Sequence, residues 1–255
     1  MGTACTLLLF LFGTLWGSFF YTLALRYSQG SFQADAVGAL TAPSRCPRCG
    51  AHVPYLYLVP LLGYALLRGK CRACRERISP AYPAFEFFNG ALLVFFVLRR
   101  GPSVESLLLF AIAGLSVAIA VIDVKTLTIP TPLVIVFILL SAYPVYLNGS
   151  AADNLMGGLG MFLFFLVILI LFPGGFGGGD VKFAAAIGLL SGVEHSIVVL
   201  EIALIVGSLS GIVYAAATGK GLRTKIPFAP FLACGLIISL LYGREIILLY
   251  RRWIY

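Results

Sequence analysis

Two aspartates, each at the edge of an apolar run, are the residues best placed to do chemistry in this sequence. Asp180 ends the run Gly177-Gly178-Gly179-Asp180, and Asp123 closes an earlier apolar run; both are followed by Val-Lys. An ionisable group in or beside a membrane span is costly and is a functional-site hypothesis by default. Glycines have no side chain beyond hydrogen, so they leave room for another backbone to come close to the carboxylate.

We expect Asp123 and Asp180 to lie close together and to act as a pair. Like-charge repulsion then lets only one of them ionise easily, and the two share a proton. Such a pair can hold a water molecule, remove its proton as it attacks an amide carbonyl, and protonate the carbonyl oxygen. The alternative for each aspartate is helix capping, or a salt bridge with the adjacent Lys125 or Lys182. The lysines are either anchors at the membrane surface or groups that bias the protonation of the pair.

The composition predicts a helical membrane protein that crosses the bilayer several times. Hydrophobic residues make up 60% and charged residues 11% of the 255 positions, whereas soluble domains are nearer half apolar and a quarter charged. Several runs approach the ~20 residues that a helix needs to cross the hydrocarbon, and the short alternating segments of a β-barrel are absent. The net charge of +8 lies in loops, where it sets orientation and meets anionic lipid, so we expect no nucleic-acid partner.

The apolar runs divide the chain into a first transmembrane helix (residues 1–25), a polar loop domain (26–80) and a transmembrane core (81–255). We expect about eight transmembrane helices in all. Their approximate bounds are 3–25, 84–98, 106–123, 130–147, 155–172, 181–192, 196–218 and 226–242. In this topology Asp123 ends a span that runs inward and Asp180 begins one that runs outward, so both lie near the cytoplasmic face. Lys220, Arg223 and Lys225 mark a further cytoplasmic loop. The tail 244–255 is predicted to form an interfacial helix, and the sequence leaves open on which side of the membrane it lies.

The polar loop domain carries four cysteines with the spacing of a metal site. Cys46-Pro47-Arg48-Cys49 and Cys71-Arg72-Ala73-Cys74 are separated by 21 residues, positions 50 to 70. Each pair can present two thiolates from one tight turn, and two such turns complete a tetrahedral sulfur shell for a structural Zn²⁺ ion. Eight basic residues against two acidic ones place this domain in the cytoplasm, where reducing conditions disfavour the alternative of two disulfides. A redox dithiol is the third possibility.

Two further features stand beside this cysteine domain. Glu86 opens the second span and is either a helix N-terminal carboxylate favoured by the helix dipole or a functional carboxylate. Residues 52–67 are too apolar for a simple linker and too interrupted by prolines to cross a membrane. We expect them to pack on the cysteine domain or to lie against the membrane.

The motifs resemble, in order and over most of the chain, those of one known family. Gly177-Gly178-Gly179-Asp180 is similar to the Gly-x-Gly-Asp motif of intramembrane aspartyl proteases, and the fuller set resembles the type IV prepilin peptidases, also called leader peptidase/N-methyltransferases. The set consists of Gly17-Ser18-Phe19, the two cysteine pairs, Ile78 to Pro83 followed by Glu86 and Gly90, Ile122-Asp123 followed by Pro130, and Lys225 to Leu232. Two positions depart from the family pattern: Phe20-Tyr21 stand where Leu-Asn is usual, and Ala229 stands where glycine is usual.

The resemblance implies an enzyme of the bacterial inner membrane that works at the cytoplasmic face. Such an enzyme cleaves the leader from type IV prepilins or type II secretion pseudopilins, with Asp123 and Asp180 as the catalytic pair. It then methylates the new N-terminus with S-adenosylmethionine. Gly177, Gly178, Gly179, Lys182 and Glu86 are expected to support the site or contact the substrate. Cys46, Cys49, Cys71 and Cys74 are expected to hold Zn²⁺.

Two other classes of protein fit the apolar runs and the charged residues between them. One is a transporter or proton-coupled channel, which the intramembrane ionisable groups would serve. Inverted repeats or paired broken helices would favour it, and neither is clear in the sequence. The other is a membrane scaffold that displays the cysteine domain for protein contacts.

Overall fold

A computed structural model describes residues 2–172, 177–218 and 226–254 of the chain. In these residues the regular structure is helical, apart from a 3₁₀ turn at Tyr55–Leu58 and two isolated β-bridges. The helices are α1 (Thr3–Ser28), α2 (Ser31–Ala34), α3 (Ala36–Thr41), α4 (Leu62–Leu66), α5 (Ala81–Arg100), α6 (Val104–Thr126), α7 (Thr131–Asn148), α8 (Ala151–Leu171), α9 (Gly178–Thr218) and α10 (Ala229–Ile254). The predicted all-helical class is confirmed.

Six of these helices are long and apolar enough to cross a membrane: α1, α5, α6, α8, α9 and α10. Helix α7 is apolar as well but shorter. Helix α9 is broken inside at Gly192, whose φ of 73° and ψ of −178° are not helical. This combination of angles is essentially restricted to glycine. Counting α7 and the two parts of α9 separately gives eight apolar segments in the described residues, as the sequence predicts.

The chain forms two compact units, and the first unit ends at Phe110. In this unit α1 packs on α5 through small residues, because a Cβ on Gly13 would lie 2.7 Å from the Asn89 carbonyl oxygen and one on Gly17 would lie 2.8 Å from that of Phe85. Close approach through glycine is the usual way in which helices associate in lipid. The small residues of α1 therefore allow its close packing on α5.

The second unit, residues 111–255, is built on the same principle. Helices α8 and α9 approach so closely that a Cβ on Gly157 would lie 2.6 Å from the carbonyl carbon of Gly192. The Phe137 ring on α7 packs edge-on against Phe183 of α9, with ring centroids 5.6 Å apart. Helix α6 is the most completely buried of the six long apolar helices, and the side chains of Ile112, Ile119 and Ile122 are among those with no exposed surface.

The C-terminal tail continues helix α10 and does not form a separate interfacial helix. Tyr250 donates a hydrogen bond to Glu201 at 2.7 Å, and Arg251 pairs with Glu194, which lies just after the break in α9. The tail therefore lies beside the break in α9, at the far end of the part of that helix that carries Asp180 in its first turn. The basic residues Lys220, Arg223 and Lys225 lie outside the described residues.

Candidate functional site

Asp180 occupies the third position of helix α9, and the helix start holds its carboxylate in place. The Gly177 amide donates to Oδ2 of Asp180 at 2.8 Å, and the Asp180 amide donates back to the Gly177 carbonyl at 3.0 Å. This is half of a capping box, in which an acidic side chain satisfies an amide that has no partner within the helix. The other carboxylate oxygen, Oδ1, is buried and accepts no hydrogen bond from the described part of the chain.

Asp123 lies in the last turn of α6, and its side chain is held by a different helix. The residue is 5% exposed, and its Oδ2 accepts a hydrogen bond of 3.1 Å from the Ala229 amide at the start of α10. A helix N-terminus carries a partial positive charge and free amides, so it favours a carboxylate. The capping that the sequence offers as an alternative is thus present at both aspartates, and it fixes where each carboxylate lies.

Both aspartates belong to the second unit, and the charge of Asp123 acts on the Asp180 carboxylate. Their elements meet through Gly179, since a Cβ at that position would lie 2.9 Å from the Ile129 Cβ in the loop between α6 and α7. The three glycines of the motif have different surroundings. Gly177 donates to Asp180, Gly179 packs against Ile129, and no described atom lies within 4 Å of a Cβ built on Gly178.

The other predicted support residues lie as follows. Lys182 is exposed, and its Nζ contacts the Thr131 hydroxyl of α7 at 3.4 Å. Lys125 is exposed as well. Glu86 belongs to the first unit, where it is 7% exposed and accepts a hydrogen bond of 2.7 Å from the Leu61 amide.

The four cysteines of the loop domain meet in one cluster. Their sulfur atoms all lie within 4.8 Å of one another, and Sγ of Cys46 is 3.9 Å from Sγ of Cys74. Each pair sits in the same kind of turn: the amides of Cys46 and Cys71 donate to the carbonyls of Ala51 and Glu76, five residues further on. Four ligands that converge in this way could hold a metal ion.

The electrostatics of the cluster also favour a cation at its centre. Backbone amides of Cys49 and Arg48 lower the pKa of the Cys46 thiol to about 6. The Glu76 amide favours the thiolate of Cys74, but desolvation and the neighbouring sulfurs outweigh it and raise the pKa of Cys74 to about 12. Four crowded thiols therefore cannot all ionise without a positive charge between them, and metal binding supplies that charge as it releases the protons.

Two groups that help to position the aspartates cannot be recognised from the sequence. The Ala229 amide is a backbone group, and Ile129 acts only through its shape. The Pro-rich start of α10, Pro227-Phe228-Ala229-Pro230, is the feature that could have pointed to a special helix start. Because Asp123 uses the amide of residue 229, the alanine that replaces the usual glycine there keeps the contact.

Comparisons with known proteins agree with this architecture. Residues 11–100 match the bacterial peptidase A24 N-terminal domain, and residues 109–215 match the type IV leader peptidase family. A prepilin leader peptidase/N-methyltransferase of Bacillus subtilis (strain 168) is 34% identical over 246 residues, which cover 95% of this chain and 96% of the relative. The protein of the same name from Burkholderia pseudomallei (strain 1026b) is 35% identical over 217 residues, covering 81% of this chain and 69% of the relative. No solved structure matches the chain.

The helices, the buried carboxylates and the cysteine cluster define a multi-pass membrane protein with a polar site inside its helical core. The matching family models are those of peptidases. The chain belongs to the type IV leader peptidase family. This membership does not favour a transporter, a channel or a scaffold.

The contrast between Gly178 and Gly179 gives a test of how the site is positioned. Gly179→Ala puts a methyl group against the Cβ of Ile129, which cannot swing away, and overpacking of this kind costs roughly 1–3 kcal/mol. We expect thermal unfolding in detergent to occur at a clearly lower temperature for Gly179→Ala. The matched control, Gly178→Ala, adds the same methyl group in open space and should leave the unfolding temperature unchanged. Equal temperatures for the two variants would contradict the packing of α9 on the loop after α6.

Proposed function

We propose that this protein cleaves the leader peptide of type IV prepilins or type II secretion pseudopilins, with Asp123 and Asp180 as the catalytic pair. The observation that carries the proposal is the pairing itself. Two carboxylates on different helices lie within range of each other's charge, each is fixed by a backbone amide, and Oδ1 of Asp180 is buried without a partner among the described residues. The names of the relatives, prepilin leader peptidase/N-methyltransferase, supply the substrate class.

The pair suits hydrolysis of an amide by a water molecule. With one carboxyl protonated and the other ionised, the ionised one takes a proton from water while the water oxygen bonds to the carbonyl carbon. The protonated one gives its proton to the carbonyl oxygen. Collapse of this tetrahedral species breaks the C–N bond: the amine leaves with the proton that the base received, and one hydroxyl of the species returns its proton to the carboxylate that had acted as the acid. The oxygen Oδ1 of Asp180 is a suitable acceptor, because no group in the described part of the chain donates a hydrogen bond to it.

The surroundings of Gly178 suggest where the substrate backbone approaches. A peptide must be extended before its carbonyl is open to attack, and an extended peptide needs space beside the carboxylate. Gly178 offers that space, while Gly177 and Gly179 hold the helix start in position. A prepilin has a basic leader followed by an apolar helix, so its cleavage site would reach the aspartates at the membrane surface.

We place the enzyme in the bacterial inner membrane, with the aspartates and the cysteine domain facing the cytoplasm. The support is the excess of basic residues in positions 26–80, because short basic loops stay on the cytoplasmic side. Methylation of the new N-terminus, with S-adenosylmethionine as the donor, rests on the family alone. Nucleic acid has no part in the proposed reaction.

We infer that the metal held by the cysteines is Zn²⁺ and that it is structural. A tetrahedral ion with bonds of ~2.3 Å separates its sulfurs by about 3.8 Å, close to the 3.9 Å between Cys46 and Cys74. Four sulfur ligands fill the shell and leave no position for water or substrate. Zinc would then fix the fold of the loop domain, and the aspartates would need no metal.

The aspartate pair is tested by Asp123→Asn and Asp180→Asn. Each variant keeps the shape of the side chain and removes the acid–base group, so leader cleavage of a purified prepilin in detergent should fall by roughly a thousandfold or more. The double variant should be no worse than the poorer single variant, since the two groups act as one unit. Unchanged size-exclusion and thermal unfolding profiles serve as the folding control. A single variant that cleaves at a rate near the wild type would show that the assignment is wrong.

The zinc site is tested by elemental analysis of purified, reduced protein, which should contain about one zinc per chain. Cys46→Ser and Cys74→Ser should each lower both the zinc content and the unfolding temperature, because metal binding stabilises this fold. Cys234→Ser is the matched control, as Cys234 lies in α10 and is not part of the cluster. Protein that is fully folded and zinc-free would contradict the structural role. Immediate loss of cleavage on adding a chelator, with the fold intact, would indicate a catalytic metal instead.

A further inference from the structure

The segment between the two cysteine turns exposes a row of apolar side chains. Tyr55 is 82% exposed, Leu62 59% and Leu66 61%; Leu56, Leu58 and Val59 are exposed as well, and Tyr64 is half-buried. A contiguous apolar surface of this kind marks a site of contact with protein or membrane. We call residues 55–66 the apolar loop.

A hydrogen bond ties the apolar loop to a membrane helix. The Leu61 amide donates to Oε2 of Glu86 in α5 at 2.7 Å. Leu61 has a φ of 62°, and the Leu62 amide donates to the Pro60 carbonyl at 2.7 Å. This is a γ-turn with positive φ, a rare and strained conformation. The carboxylate thus holds the tip of the loop in a shape that it would not keep by itself.

The position of Glu86 sets the depth of the loop. Helix α5 has 20 residues, which span about 30 Å at 1.5 Å per residue, the thickness of the hydrocarbon core. The helix has no length to spare, so Ala81 must lie near the edge of the hydrocarbon. Glu86 is five residues further on, about 7 Å along the helix axis. The Glu86 side chain leans toward the N-terminus of the helix, so Leu61, bonded to its carboxylate, lies between this level and the edge of the hydrocarbon.

This depth explains why a carboxylate meets the loop at that point. An unpaired amide in an irregular segment is costly where no water can reach it, and the Glu86 carboxylate satisfies the amide of Leu61. The apolar side chains around Leu61 are then exposed to lipid, which solvates them well. Of the two surroundings that the sequence leaves open for residues 52–67, the exposure and the depth favour the membrane.

A basic cavity lies next to the apolar loop, at the level where lipid headgroups begin. It has a volume of about 460 Å³ and is lined by Arg68, Lys70 and Arg77 together with Tyr64, Ser79 and Pro80. Ser79 and Pro80 directly precede α5, which places the cavity just outside the hydrocarbon. We call it the basic pocket. Among the residues that the structure describes, none of its three cations forms an ion pair, and nearby Glu76 pairs with Arg48.

We propose that the apolar loop inserts into the boundary between headgroups and acyl chains, and that the basic pocket binds the phosphate headgroup of an anionic phospholipid. Three unpaired cations above an apolar surface complement an anionic headgroup above its acyl chains. Together they would hold the cysteine domain flat on the membrane. The proposal concerns this domain alone and does not depend on the assignment of the aspartates.

The test compares the full-length, zinc-loaded protein in lipid nanodiscs of pure phosphatidylcholine with nanodiscs in which one third of the lipid is phosphatidylglycerol. Hydrogen exchange of residues 55–78 is followed by mass spectrometry. We expect exchange to be slower by about fivefold or more with phosphatidylglycerol, the factor that one Lys or Arg near an anionic surface typically contributes. Millimolar inorganic phosphate in phosphatidylcholine nanodiscs should give no such protection. Protection by phosphate alone would show that the pocket takes a soluble anion instead.

Two triple variants with the same net charge separate a pocket from general attraction. Arg68→Gln/Lys70→Gln/Arg77→Gln should abolish the effect of phosphatidylglycerol, whereas Arg45→Gln/Arg48→Gln/Arg75→Gln, on the same domain but outside the pocket, should keep most of it. Equal loss in both would overturn the specific pocket. No effect of phosphatidylglycerol in the wild type would overturn the proposal and leave an acidic protein segment as the occupant.

Insertion of the apolar loop into the membrane is measured in a separate experiment. The proposal can then be tested even if a triple variant of the basic pocket fails to fold. In a Trp16→Phe/Trp253→Phe background, Leu62→Trp should be quenched strongly by lipids brominated in their acyl chains. Arg48→Trp, on the exposed cysteine turn, should be quenched several-fold less. Equal, weak quenching at both positions would show that the loop does not enter the bilayer.

Discussion

Two carboxyl groups held within range of each other's charge in a helical membrane protein impose a cost that the surrounding fold has to offset. Burial disfavours ionisation of each, and repulsion disfavours it in both together. Asp123 is stabilised by the first amide of α10 and Asp180 by the amide that precedes α9. Helix starts are suited to this, since their amides lack partners and carry partial positive charge. Three helices and the loop after α6 must therefore converge at one point, and this requirement organises the second unit.

The break in α9 follows from a different constraint, the thickness of the membrane. An unbroken α9 of 41 residues would be about 60 Å long at 1.5 Å per residue, twice the thickness of the hydrocarbon. Gly192 divides it, so the part that carries Asp180 ends where α8 packs closely, with Gly157 against the Gly192 backbone. Nearby, the Val193 amide lies 3.4 Å from the Asp153 carboxylate. A polar group on a neighbouring helix thus meets an amide that the break sets free, as the absence of water in lipid demands.

The features that the sequence predicts are those with a local pattern. Apolar runs give the helices, the two cysteine pairs give the sulfur cluster, and the glycine at 192 gives the break in α9. The features that it does not predict are long-range pairings of a side chain with a backbone amide: Asp123 with Ala229 and Glu86 with Leu61. Any residue but proline supplies such an amide, so the sequence carries no trace of the pairing. The same reason hides Ile129, which matters only because Gly179 faces it, and the continuation of α10 through the tail, which depends on Glu194 and Glu201 as distant partners.

Three carboxylates in membrane helices are stabilised in the same way, each by a backbone amide. Their remaining hydrogen-bond partners differ, and these differences indicate different roles. Glu86, Asp123 and Asp180 each accept a backbone amide from a non-helical segment or a helix start. Glu86 accepts the Leu61 amide, and neither of its oxygens is among the buried atoms of the described residues that lack a partner. Asp180 alone, among the carboxylates of the described residues, keeps a buried oxygen with no partner. A buried acceptor left open is costly in a structural role, and it is useful where a water molecule or a reacting amide has to be bound. That asymmetry, together with the nearby charge of Asp123, supports a catalytic role for the aspartates and a positioning role for Glu86.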